Sequence, residues 1–128
     1  MINPYTDRIA SNFLNRNCYY GSTDVIHKRN DGTMAWLYIG TLLAEYNDTL
    51  YVTLPKDSDT EQCIRISAVL SGYCQRTNRV PLGLYWQGKD VYLAEYIGKQ
   101  IQFVGQLNGT TWAINNGQSY KIEGQNHE

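Results

Sequence analysis

The residues that most often carry acid–base and metal chemistry are scarce in this chain of 128 residues. Histidine is the usual proton donor and acceptor near neutral pH, and only His27 and His127 are present. The cysteines Cys18, Cys63 and Cys74 form no CxxC pair and lack the close spacing of zinc modules. We therefore expect free thiols in a reducing compartment, with no bound metal.

Carboxylates are the remaining candidates for catalysis, in the form of a metal-dependent hydrolytic site. The acidic residues considered for such a site are Asp24, Asp31, Glu45, Asp90 and Glu95. Asp31 and Asp90 stand in turn sequences, where aspartate serves the backbone, and both glutamates end strands, where a solvated carboxylate is ordinary. Because several groups must converge to make such a site, the sequence favours a protein that is not an enzyme and has no cofactor.

The chain is instead rich in residues that bind other molecules. It contains eleven tyrosines and three tryptophans but only two phenylalanines. Tyrosine joins a large apolar ring to a polar tip, which suits half-buried strands and surfaces that contact partners. Several of these rings lie near basic residues in the sequence. The predicted binding residues are Tyr73, Arg76, Arg79, Tyr85 and Trp86, with Lys28 and Arg29 as a second group.

Two kinds of partner fit this combination of rings and cations. Single-stranded nucleic acid stacks its bases on aromatic rings while cations neutralise its phosphates. Tyrosine, tryptophan and arginine also dominate the hot spots of protein interfaces. The net charge of −1 excludes a strongly basic nucleic-acid coat but not a local basic patch. A third interpretation is that the cations only solubilise the surface while the rings fill the core.

Two helices are predicted from the spacing of apolar residues. Pro4 suits a first helical turn, and an apolar stripe follows it, so we expect a helix over residues 4–16. The segment Ser58-Asp59-Thr60-Glu61 matches a capping box, and apolar residues recur after it at steps of three and four. This predicts a second helix over residues 60–72, which ends near Gly72 and is followed by a polar loop.

The rest of the chain has the pattern of short antiparallel strands. Asn30-Asp31-Gly32 predicts a tight hairpin turn, because Asp-Gly tolerates positive φ angles. A meander is expected from Val25 to Leu54, and further strands are expected from Leu82 to Ile122, with a hairpin turn at residues 87–90. We predict an α+β fold, with a strongly twisted antiparallel sheet of about six to eight short strands, an N-terminal helix and one central helix.

Length and composition indicate one domain over residues 1–123, followed by a flexible C-terminal tail over residues 124–128. The N-terminal residues lack a basic stretch before a long apolar run, so we expect no secretory signal. The apolar run from Met34 to Ala44 is too short to cross a bilayer. We therefore expect a cytoplasmic protein that does not contact membranes.

One part of the chain carries a recognisable series of short motifs. These are Leu37-Tyr38-Ile39-Gly40, Leu43-Ala44, Leu50-Tyr51-Val52-Thr53-Leu54, Thr60, Arg65-Ile66 and Val69-Leu70. Through them, residues 33–71 resemble a family of small uncharacterised proteins encoded by phages and mobile elements. Val91-Tyr92-Leu93 and Phe103 stand where that family often has a Trp-Tyr strand and a phenylalanine. Lys56-Asp57 depart from the family, which has a Gly-Trp step there.

The resemblance implies a phage or mobile-element origin, and hence a place in the host cytoplasm, but no particular chemistry. Together with the residue types, it predicts a non-enzymatic binding protein that occupies a surface of a host protein or ribonucleoprotein complex. Such a protein would inhibit nucleic-acid-based defence in the manner of an anti-CRISPR protein. The alternative is a single-stranded nucleic-acid-binding accessory protein that uses the same aromatic and basic residues. A second copy of the chain is a further candidate partner.

Overall fold

The computed structural model describes residues 4–115 and 119–121, which form two helices and ten strands. The helices are α1 (Pro4–Leu14) and α2 (Thr60–Thr77). The strands are β1 (Tyr19–Tyr20), β2 (Asp24–Lys28), β3 (Met34–Tyr38), β4 (Thr41–Tyr46), β5 (Leu50–Leu54), β6 (Leu82–Gln87), β7 (Asp90–Ile97), β8 (Gln100–Gln106), β9 (Thr110–Ile114) and β10 (Ser119–Lys121). The predicted α+β class is confirmed, but the strands form two antiparallel sheets instead of one.

The large sheet has seven strands in the order β1-β2-β3-β4-β5-β9-β10. Strands β2–β5 form the predicted meander, and β1 adds a short strand that was not predicted. The turn at Asn30–Gly32 joins β2 to β3, with Gly32 at a φ of 91°. The chain then leaves this sheet and returns as β9, which pairs with β5 from Leu50 opposite Ile114 to Leu54 opposite Thr110. Everything between these two strands, including α2, is therefore an excursion from the large sheet.

The small sheet has three strands in the order β6-β7-β8 and is built from two tight hairpins. Gln87 pairs with Asp90 and Ile97 pairs with Gln100, which leaves two residues in each turn. Gly88 and Gly98 lie in these turns at φ angles of 65° and 61°. Glycine adopts such angles without steric cost, which is why two-residue turns form here.

The second helix is longer than predicted because Gly72 does not end it. Helix α2 begins after the N-cap Asp59, whose capping box is completed by Gln62, and it runs to Thr77 before Asn78 adopts a left-handed conformation. A Cβ atom on Gly72 would lie 2.8 Å from a Leu14 methyl carbon. The glycine therefore allows α1 to pack closely on α2, and the predicted polar loop is mostly the last turns of the helix.

One hydrophobic cluster includes residues of both helices and both sheets. Phe13 and Trp36 are among its largest fully buried side chains, and their rings meet at a centroid distance of 5.8 Å. The domain bounds stay a prediction, and the predicted tail at residues 124–128 lies outside the described residues. No helix in the described ranges has the length and apolar character needed to cross a bilayer.

The two sheets are joined by a buried asparagine. Asn108 accepts a hydrogen bond from the backbone N–H of Val91 in β7 at 3.0 Å. Its side-chain amide donates to the carbonyl of Lys56, just after β5, at 3.1 Å. Nearby, Gly109 donates a backbone bond to Leu54 at 2.7 Å. These bonds hold the small sheet against the end of β5 and fix its orientation.

Candidate protein-binding face

Asp24, whose carboxylate is fully enclosed, is held in a buried hydrogen-bond network. Arg65 of α2 binds it through two nitrogen atoms, with its Nε 2.7 Å from Oδ1 and its Nη2 2.9 Å from Oδ2. The indole of Trp36 donates to Oδ1 at 2.9 Å, and the hydroxyls of Tyr5 and Thr23 donate to Oδ2 at 3.2 and 3.0 Å. The network ties α1 and α2 to the large sheet.

The electrostatics of this network favour the charged form of both Asp24 and Arg65. Burial alone would raise the pKa of Asp24, but hydrogen bonds from Arg65 and Trp36 outweigh it and lower the pKa below its usual value. Burial alone would lower the pKa of Arg65, whereas hydrogen bonds to Asp24 and Glu61 raise it. The guanidinium also lies 4.0 Å from the ring centroid of Tyr38. Asp24 thus serves as a structural anion.

The other candidate groups for catalysis do not converge. Glu45 forms an ion pair with Arg29 on the large sheet, and Glu95 of the small sheet pairs with Arg79. Cys63 is buried, and burial raises the pKa of its thiol, which makes it a poor nucleophile. Among the described residues, no group of three His, Cys, Asp or Glu side chains is placed to hold a metal ion.

Two residues predicted for a contact surface belong to the interior instead. Tyr73 is buried, its ring meets that of Tyr46 edge-on at 6.0 Å, and burial raises the pKa of its hydroxyl. Arg79 keeps only 3% of its side chain exposed, with its Nη2 3.5 Å from a carboxylate oxygen of Glu95. The side chains of Tyr73 and Arg79 are therefore not available for the predicted contact. Tyr73 lies on the inner side of α2, which continues past Gly72, and Arg79 follows the C-cap Asn78 and turns toward Glu95.

The remaining predicted cations are dispersed. Arg76 lies on α2 and donates to Ser11 of α1 and to Asn15, which directly follows α1, each at 3.3 Å, so it fastens α2 to the end of α1. Lys28 is exposed at the end of β2, and Arg29 follows it with its guanidinium bound to Glu45. The predicted patch of rings and arginines is therefore not assembled at one place.

Tyr85 and Trp86 are exposed, but they lie on opposite sides of the small sheet. Residues directly opposite each other in an antiparallel pair share a side, and Tyr85 faces Tyr92 whereas Trp86 faces the buried Val91. Trp86 is 53% exposed and lines an open groove of about 510 Å³ between the small sheet and the start of α2. Only Tyr85 points to the uncovered side.

The uncovered side of the small sheet carries a continuous group of apolar rings. We call it the aromatic face and define it as Tyr85, Tyr92, Tyr96, Ile101 and Phe103. The ring of Phe103 lies 4.9 Å from that of Tyr85 and is stacked on that of Tyr92 at 5.5 Å. Phe103 is 47% and Tyr85 37% exposed, and no element within the described residues packs over them.

Small residues under the rings hold them in place. Phe103 pairs with Ala94, whose side chain is fully buried, so the ring can extend over β7 toward Tyr85. A Cβ on Gly83 would lie 2.7 Å from the ring of Tyr96, which shows that this ring lies directly on the glycine. The Tyr96 hydroxyl donates to the carbonyl of Leu84 at 2.9 Å. The rings are therefore positioned before any partner arrives.

The strands of the small sheet carry few charged residues. Strands β6, β7 and β8 contain no lysine or arginine, and their charged residues are Asp90 and Glu95. Asp90 accepts a hydrogen bond from Gln106 at 3.2 Å at the rim of the aromatic face. Glu95 is paired with Arg79. The face thus offers mainly apolar contact, and the nearest lysines in sequence, Lys89 and Lys99, lie in the turns at the ends of the strands.

Sequence reasoning missed most members of this face. Tyr92 and Phe103 were noted only for the family resemblance, and Tyr96 and Ile101 were not predicted as binding residues. Two signals could have found them, namely the two-residue turns and the alternation along β7, where Val91 and Leu93 are buried between more exposed tyrosines. Comparison of the chain with protein-family models, with curated proteins and with solved structures finds no match.

Proposed function

We propose that the protein is a non-enzymatic binding protein that docks a partner protein on the aromatic face. The observation that carries this proposal is the contiguous, half-exposed cluster of Tyr85, Tyr92 and Phe103. Monomeric proteins rarely expose a connected group of apolar side chains unless it binds something. Each ring that a partner covers removes a large apolar area from water.

The arrangement of the rings favours binding for a second reason, which is entropy. A side chain that is already fixed loses little freedom when a partner covers it. Tyr96 is fixed by its hydrogen bond to Leu84, and Phe103 is fixed between two tyrosines. Most of the apolar area that a partner covers would therefore contribute to affinity.

The charges support a protein partner over nucleic acid. Binding of single-stranded nucleic acid needs cations beside the stacking rings, because phosphates supply much of the affinity. The strands of the small sheet carry no lysine or arginine beside the rings of the aromatic face, and its lysines, Lys89 and Lys99, lie in the two turns. Arg76 and Arg29 are engaged elsewhere. We further propose that the partner is a host protein or ribonucleoprotein complex. In this proposal the protein is encoded by a phage or mobile element and inhibits a defence system of the host. That part rests on the family resemblance.

The test is capture of partners from the native host with tagged wild-type protein and two variants. Phe103→Ser removes the centre of the aromatic face, whereas Tyr20→Ser removes a tyrosine that is 67% exposed on the large sheet and serves as the matched control. We expect mass spectrometry to identify a protein that wild type and Tyr20→Ser retain and Phe103→Ser loses. With that protein purified, loss of a hot-spot ring should weaken binding by about thirtyfold or more.

Two results would overturn the proposal. In the first, Phe103→Ser captures the partner as well as wild type does. In the second, titration with labelled single-stranded DNA or RNA gives tight binding whose affinity falls steeply with salt, which would indicate phosphate contacts.

A further inference from the structure

Within the described residues the small sheet has two strand edges without a partner, those of β6, with six residues, and β8, which is the longer. Within the described residues β8 pairs with β7 alone, and it has seven residues, Gln100–Gln106. The edge strands of the large sheet, β1 and β10, have only two and three residues. A strand edge exposes unpaired N–H and C=O groups, and short edge strands are one way in which proteins limit unwanted pairing.

The hairpin geometry determines which backbone groups point outward from β8. Ile97 and Gln100 close a two-residue turn, so Gln100 forms backbone bonds with β7. Bonding alternates along an antiparallel strand, so Gln102 also faces β7, whereas Ile101 and Phe103 direct their N–H and C=O groups to the free edge. The side chains of these same two residues lie on the aromatic face.

The first part of this edge, Gln100–Phe103, lacks the features that normally prevent strand pairing. Proteins protect exposed edges with charged residues or proline, and β8 contains neither. Its sequence, QIQFVGQ, includes Ile101, Phe103 and Val104, which are residue types that favour strands. A register shift opposite Leu93 and Ala94 disrupts the strand only beyond Phe103. The segment from Gln100 to Phe103 is regular and available for pairing.

We propose that β8 pairs with β8 of a second copy of this chain, which makes a continuous six-stranded sheet. The register that uses the outward groups is centred on Gln102, and it places Ile101 of one copy opposite Phe103 of the other. Both of these pairs then exchange their backbone hydrogen bonds, as in a regular antiparallel ladder. A symmetric dimer requires such a self-complementary surface.

A second copy is favoured because β8 carries no charge. About a two-fold axis the central residue meets its own copy and the residues on either side of it meet each other, so an edge strand with charges of one sign would oppose like charges. The glutamines and apolar residues of β8 meet without such repulsion, and Ile101 and Phe103 form apolar cross-strand pairs. The aromatic faces of the two copies would then lie side by side on one sheet. This inference goes beyond the proposed function, because the dimer depends on the backbone N–H and C=O groups of β8, whereas the proposed function depends on the side chains of the aromatic face.

A charge-swap experiment at Gln102 tests both the dimer and its register. We expect sedimentation of the wild type, from about 5 to about 500 µM, to show a mass rising to twice the 14.7 kDa of one chain. Gln102→Lys and Gln102→Glu should each shift the protein to the monomer, because like charges meet at the two-fold axis. An equimolar mixture of the two variants should restore the dimer, because opposite charges then meet.

A second variant keeps the test independent of folding effects. Gln102 lies opposite Glu95, so thermal unfolding of each charged variant must first show that it remains folded. Ile101→Pro removes an outward N–H without removing a bond to β7, and it should also give a monomer. Tyr85→Ser should leave the dimer intact, so failure of the dimer and failure of the proposed function can be told apart.

Three outcomes would overturn the inference. One is a wild type that stays at the mass of one chain throughout the concentration range. Another is a dimer that survives in Gln102→Lys, Gln102→Glu and Ile101→Pro alike. The third is a monomeric wild type whose captured partner is lost in Ile101→Pro, which would assign the edge to a strand of that partner.

Discussion

The large sheet and the small sheet use their side chains in opposite ways. The large sheet has both helices on it and encloses charged groups, Asp24 and Arg65, in a complete hydrogen-bond network. The small sheet has one side without cover and leaves the rings of Tyr85 and Phe103 half exposed. Where cover is complete, polar groups must be paired. Where cover is missing, apolar rings remain available, and their exposure costs free energy that binding can recover.

The largest expected effect comes from breaking the buried ion pair. Arg65→Met leaves Asp24 charged and buried without its cation, so we expect the free energy of unfolding to fall by about 3–5 kcal/mol. Arg76→Met makes the same exchange on the same helix, where the guanidinium is exposed, and should cost less than about 1 kcal/mol. Urea denaturation measures both. A loss for Arg65→Met as small as the loss for Arg76→Met would show that the large sheet does not depend on its interior charges.

The chain's two phenylalanines give the most direct comparison of the two regions. Phe13→Ala removes a fully buried ring from the core and should cost about 3–5 kcal/mol. Phe103→Ala removes a half-exposed ring, and we expect a loss of about 1 kcal/mol, mainly from its ring pairs with Tyr85 and Tyr92. Both values follow from urea denaturation. A large loss in Phe103→Ala would mean that the aromatic face stabilises the fold.

The joint between the sheets should give an intermediate effect. Asn108→Ala leaves the buried N–H of Val91 without its partner, so we expect a loss of about 2 kcal/mol, within the range for an unsatisfied buried donor. Asn47→Ala removes an exposed amide on the large sheet, and the free energy of unfolding should change by less than about 0.5 kcal/mol. If Asn108→Ala were as stable as Asn47→Ala, the side chain of Asn108 would not contribute to holding the two sheets together.

Acid should weaken the large sheet through Asp24, and this is the smallest effect. Its pKa in the folded protein lies below the ordinary 3.8, so the stability it contributes is complete above that value and is lost as pH falls through the folded pKa. Urea midpoints between about pH 5 and about pH 2 should therefore fall more steeply for wild type than for Asp24→Asn. Asp31, whose pKa is lowered by the Thr33 backbone N–H, contributes equally to both proteins. Parallel curves would contradict this assignment.

The local features of the fold could be predicted from the sequence. The Asp31-Gly32 turn, the start of α2 near Asp59 and the meander up to Leu54 depend on neighbouring residues, and the structure has all of them. The end of α2 was predicted wrongly, because the reason for Gly72 is its contact with Leu14 on another helix. The division into two sheets was missed because it depends on which distant strand joins β5.

The candidate site was harder to predict for the same reason. Tyr85 and Trp86 are adjacent in sequence but lie on opposite sides of a strand, so their proximity did not indicate a shared surface. Arg79 is a surface residue type, and only the position of Glu95 explains its burial. Phe103 joins Tyr85 across a whole strand. Each of these relations needs the register of the small sheet, which the residue types alone do not determine.

The excursion between β5 and β9 also bears on how the chain acquires its structure during synthesis. Strands β1–β5 can pair as soon as they leave the ribosome, because each neighbour is close in sequence. The outer edge of β5 must wait for Thr110–Ile114, which emerge only after α2 and the whole small sheet. Until then Leu50 and Val52, which are fully buried in the finished protein, belong to an open edge. Nascent chains should therefore be most prone to aggregate while the ribosome synthesises the residues between β5 and β9, and slow elongation there should prolong this period.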